Sequence, residues 1–88
     1  MQEIPNLAHV FSLMLREYRE KSGLSQRKLA MTIGCARSYI AFLESGRHMP
    51  TLNTFLLLAK AFGVDSIEFH TELNMRLSKM EEDENNKN

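Results

Sequence analysis

From Leu7 to Met80 the apolar residues of this chain recur every three or four positions, and no stretch alternates apolar with polar at every second one. A spacing near 3.6 lines up side chains on one face of a helix, whereas a spacing of two lines them up on a strand. The sequence can therefore close a core only by packing helices, and the expected class is all-α. Its 88 residues supply one core. A domain this short buries a limited share of its surface, so association with another molecule is expected.

Five helices can be placed from the pattern and its punctuation. Leu7, Val10, Phe11, Met14, Leu15 and Tyr18 form one stripe, with Asn6 as the expected cap and Gly23 as the stop. Ser25 should cap a second, short helix whose Leu29, Ala30 and Ile33 face inward and which Gly34 ends. A third short helix runs from Ala36 to Ser45 with Ile40 and Leu43 inward. After Pro50 and Thr51, the residues Leu52, Phe55, Leu56, Ala59 and Phe62 make a fourth stripe. Asp65, with Glu68 three residues on, opens a fifth helix along Phe69, Leu73, Leu77 and Met80. Residues 1–80 then form one domain, and the acidic tail 81–88, beginning Glu81, Glu82, Asp83, Glu84, is expected to be disordered.

Net charge is zero, which alone argues against nucleic acid, but the charge is unevenly spread. Between Arg16 and Arg47 seven basic residues (Arg16, Arg19, Lys21, Arg27, Lys28, Arg37, Arg47) stand against three acidic ones (Glu17, Glu20, Glu44), and the remainder of the chain carries the compensating negative charge. One region suits a polyanion, and the acidic remainder should point away from it. The single cysteine, Cys35, excludes an internal disulfide, and His9, His48 and His70 are too dispersed for a metal cluster, so no metal or cofactor is expected. The longest apolar run, Phe55 to Ala59, is far below the roughly 20 residues of a membrane span. A cytoplasmic protein without a membrane partner is expected. No nucleophile and base pair, carboxylate dyad or glycine-rich phosphate loop is present, which argues against an enzyme.

The stretch from Gln26 to Ser45 carries the function. Two short helices crossing steeply need a small residue where they touch and a turn residue that tolerates positive φ; Ala30 and Gly34 fit. Burial of Leu29, Ile33, Ile40 and Leu43 leaves Arg37, Ser38, Ala41 and Phe42 on the open face of the third helix. These small, glycine-turned, apolar and acidic positions resemble the lambda-repressor and Cro-like (XRE-type) helix-turn-helix family. Leu24-Ser25-Gln26 and Leu43-Glu44-Ser45-Gly46-Arg47 are similar to the same family, as is the five-helix order. Arg37-Ser38-Tyr39-Ile40 also resembles the recognition helix of restriction-modification controller proteins. One departure is Ala36, which offers no side-chain acceptor where the family usually caps this helix, at an expected cost near 1 kcal/mol.

The resemblance implies a transcriptional regulator of double-stranded DNA whose third helix enters the major groove. Arg37 is then the candidate for a bidentate contact to guanine, Ser38 a second base or phosphate contact, and Ala41 and Phe42 contacts to thymine methyls. Phe42 has packing on the fourth helix as its alternative. Gln26 stands where the family holds a phosphate, and Arg27, Tyr39, Arg47 and His48 are further backbone contacts. Glu44 is expected as an exposed acid, available to RNA polymerase or paired with Arg47. On the fifth helix Val64, Ile67, Phe69, Leu73 and Leu77 supply more apolar surface than one small domain needs, which predicts a homodimer on a pseudo-palindromic operator with half-sites about 34 Å apart, the alternative being that this helix merely packs on the first. The rival reading is an antitoxin that pairs with a toxin through Met75 to Glu84 and regulates its own promoter.

Overall fold

The structure is a computed structural model and describes residues 1–86. Five helices follow in order, α1 (Leu7–Lys21), α2 (Gln26–Ile33), α3 (Arg37–Glu44), α4 (Leu52–Ala61) and α5 (Ser66–Asn85), with no strand among the described residues. The architecture is the five-helix, lambda-repressor-like one. Side-chain caps form at three starts, the expected ones at Ser25 and Asp65 and a further one at Thr51. Ser25 Oγ accepts from the N–H of Lys28 at 3.0 Å, Thr51 Oγ1 from that of Thr54 at 3.2 Å and Asp65 Oδ1 from that of Ile67 at 2.8 Å. Asn6 does not cap α1. It sits at φ 67°, and its amide donates instead to Glu84 Oε1 at 3.0 Å, tying the two ends of the chain together.

The α1 stripe is buried as its spacing requires: Phe11, Met14 and Leu15 are fully covered, and Leu29, Ile40, Leu43, Leu58 and Phe69 meet them from the other four helices. On α4 the buried face is turned from the expected one. Phe55, Leu58 and Ala59 lie inside, while Leu52 and Leu56 are exposed.

Two expectations for α5 are corrected. Phe69 is wholly inside the monomer, its ring centroid 4.8 Å from Phe55, 5.1 Å from Tyr18, 6.0 Å from Phe62 and 6.4 Å from Phe11. Leu73 is buried beside it, and Val64 and Leu77 are half-buried against the same core. The seam assigned to a partner therefore closes on α1 and α4, because a ring with four aromatic neighbours is already out of water. Of that set only Ile67 stands exposed. The helix also continues past Met80 through the acidic residues to Asn85, where disorder was expected; Met80 rests on the core and Glu84 receives the Asn6 amide. Residues 87–88 of the expected tail lie outside the described residues.

Candidate nucleic-acid interface

The turn between α2 and α3 occupies three residues. Gly34 takes φ 79°, and its N–H and that of Cys35 both donate to the Ala30 carbonyl at 2.9 Å, which swings the chain sharply into α3. Ala36 adopts extended backbone without a side-chain cap, as its methyl dictates, and its carbonyl accepts the N–H of Tyr39 at 3.0 Å. Arg37 is thus the first residue of the helix.

The inward side of α3 is anchored by charge as well as by Ile40 and Leu43. Glu44, expected on the surface, has a side chain only 1% exposed. Arg19 grips it with two hydrogen bonds, Nε to Oε2 at 2.7 Å and Nη2 to Oε1 at 3.1 Å, while its Nη1 donates to the Leu24 carbonyl at 2.9 Å. Gln26 Nε2 adds a bond to Oε1 at 3.1 Å and Arg16 Nε one at 3.3 Å. Burial alone would raise the Glu44 carboxyl, but the bonds from Arg19, Gln26 and Arg16 outweigh it and hold it below the usual carboxylate range. The same contact raises the Arg19 guanidinium. Glu44 therefore offers nothing to RNA polymerase and does not pair with Arg47. It fastens α3 to α1 and to the start of α2. One link further along, Gly46 at φ 81° leaves the helix directly against α1; a Cβ there would stand 3.0 Å from Ser12 Oγ and 3.6 Å from the His9 Cα.

The outward side differs. Arg37 and Ser38 are exposed, Ala41 is half-buried, and Phe42 is exposed. Arg27 on α2 and Arg47 and His48 in the loop after α3 are exposed, and Tyr39 is half-buried. The Phe42 ring has two aromatic neighbours, neither of them on α4. It stacks on His48, with centroids 4.5 Å apart and planes 15° apart, and on Tyr39 at 6.3 Å and 24°. The Gln26 side chain is committed to Glu44, so what this position presents outward is the N-terminal end of α2, where the N–H groups of Gln26 and Arg27 have no intrahelical partner.

Lys60 on α4 and Lys79 on α5 have no carboxylate partner among the described residues and Arg76 on α5 has two, but around the two-helix turn the basic residues divide by helix. Among the described residues Arg16, Arg19 and Lys21, all on α1, pair with Glu44 or Glu17, whereas Arg27, Lys28, Arg37 and Arg47 on α2, α3 and the loop after it have no carboxylate partner. Lys28 was not among the expected contact residues. The anchoring role of Arg16 and Arg19 was also missed; the available signal was their spacing of three on α1, beside a motif carrying a lone acid. No described helix is long and apolar enough to cross a membrane.

Comparison with known proteins agrees with this geometry. Residues 15–69, more than half of the chain, match the helix-turn-helix family. The chain is 40% identical over 55 residues to an HTH-type transcriptional regulator of Methanothermobacter thermautotrophicus, covering 62% of this chain and 80% of that protein. It is 36% identical over 56 residues to the control protein C.SmaI of Serratia marcescens, covering 64% and 67%. Its structure is similar to that of the restriction-modification controller protein C.AhdI from Aeromonas hydrophila, with a TM-score of 0.67, 33% identity and coverage of 78% of this chain and 99% of that one. With a two-helix turn that presents unpaired cations and a family match spanning that turn, the chain belongs to the XRE-type helix-turn-helix family of DNA-binding transcriptional regulators.

Proposed function

We propose that this regulator binds a pseudo-palindromic operator as a homodimer in the cytoplasm, with α3 in the major groove, and that it serves as a restriction-modification controller. The observation that carries the groove assignment is the segregation of charge: α1 cations are neutralised, and those of α2, α3 and the following loop are not. Arg37 reads guanine, Ser38 supports it, and Ala41 and Phe42 meet thymine methyls. Arg27, Arg47, His48, Tyr39 and the N-terminal end of α2 at Gln26 hold phosphates and set the register. The second copy docks around Ile67, which is 74% exposed, with the half-buried Val64 and Leu77 at its margin. Likeness to C.SmaI and C.AhdI supports the controller role. Footprinting on DNA upstream of the chain's own gene tests the reading: two protected half-sites centred about 34 Å apart are expected, and one short protected segment would overturn the dimer.

A further inference from the structure

We infer that His48 is a positioning residue for sequence specificity, its ring holding Phe42 in the orientation that meets a thymine methyl. The inference rests on the proposed entry of α3 into the major groove. Phe42 lies two positions beyond the buried Ile40, about 200° around the helix, and so points away from the core. It is 44% exposed, with no α4 side chain among its ring partners. A phenylalanine so placed would ordinarily sample several rotamers. Here the near-parallel imidazole at 4.5 Å covers one side of the ring, and Tyr39, three residues earlier, continues the stack. Three rings thus lie in series along the outer surface, fixed at one end by α3 and at the other by the loop that leaves at Gly46.

The chemistry of the middle ring sets what it can read. Phenylalanine neither donates nor accepts, so against guanine, cytosine or adenine edges it would strip water from polar groups without replacing the hydrogen bonds. The thymine C5-methyl is the apolar group in the major groove, and burying it against a ring held in place is favourable. The contribution of one such methyl corresponds to about three- to fivefold in Kd. His48 affects this contact through Phe42 and needs no base contact of its own.

The test starts from an operator selected from random duplexes by the full chain, in which each thymine is singly replaced by deoxyuridine. The wild type should lose about three- to fivefold in affinity at one thymine per half-site. Phe42→Ala should bind the thymine and uracil duplexes equally. His48→Ala should lose the methyl sensitivity, and His48→Phe, which keeps an aromatic ring, should retain it. If His48→Ala weakens both duplexes by the same factor and keeps the wild-type difference, His48 acts on phosphate alone, without positioning Phe42, and the inference is overturned. Selective binding with no methyl sensitivity at any thymine overturns the inference alone, whereas failure to select any sequence overturns the operator reading and the inference with it. Thermal melts of the three variants control for folding, and unchanged midpoints are expected because the side chains of Phe42 and His48 are exposed.

Discussion

The two sides of α3 use charge in opposite ways. Inward, Glu44 is sealed from water and held by Arg19, Arg16 and Gln26; outward, Arg37 and its neighbours on α2 and in the loop have no carboxylate to neutralise them. A buried ion pair contributes little net stability once desolvation is counted, but it makes any other placement of the helix unfavourable, because each partner alone would be an uncompensated charge. An exposed cation contributes almost nothing to the fold and keeps its whole electrostatic interaction for a ligand. Orientation and binding are therefore assigned to different residues of the same eight-residue helix.

That division predicts mutations that separate stability from binding. Removing one partner of the inner pair, by Arg19→Ala or Glu44→Ala, should cost about 3–5 kcal/mol in urea unfolding; a cost below about 1 kcal/mol would mean that α3 is placed by Ile40 and Leu43 alone. The pair also sets a response to acid. Glu44 titrates below its unfolded value of about 4.3, so its contribution is complete above that pH and is lost as the pH falls through the lower folded value. Stability should decline on acidification below about pH 5, and Glu44→Gln should flatten that decline. Glu17, lowered chiefly by its hydrogen bond from Arg76, leaves a smaller residual slope because it is partly exposed.

The outer face should give the complementary result. Arg37→Ala should leave the melting midpoint in place and remove roughly 1–3 kcal/mol of preference for the operator over bulk DNA in mobility shifts. Loss of stability without loss of preference would reverse the assignment of the two sides. Arg27→Ala should weaken all sequences alike and lower the slope of log K against log salt by about 1, as expected for one phosphate contact. The smallest effect belongs to the half-exposed bridge between α1 and α5, Arg76 to Glu17 at 2.9 Å. Arg76→Ala should cost about 0–1 kcal/mol, and high salt should shrink the difference further.

Local rules made much of the fold legible in advance. The α1 stripe, the caps at Ser25 and Asp65 and the Gly34 turn depend on residues within a few positions of each other, and the structure has them as the pattern requires. What escaped the pattern depends on distant partners. Glu44 meets Arg19 across 25 positions and Arg16 across 28, and nothing in the spacing of an acid near a helix end says which arginine closes over it. Periodicity likewise showed that α5 has an apolar face, yet Phe69 became core instead of interface because Phe11, Tyr18, Phe55 and Phe62 converge on it. Composition suggested disorder at Glu81, whereas the continued helix brings Glu84 to Asn6.

The rest of Gly46 against α1 has a practical corollary. With Glu44 clasped on one side of that glycine and the backbone lodged beside Ser12 and His9 on the other, the frame of α3 is set by residues that no operator needs to touch. If α3 enters the groove as proposed, Arg37, Ser38 and Phe42 can be exchanged as interchangeable letters on a fixed slug of type, so new target sequences become accessible to this scaffold without its having to solve the folding problem again.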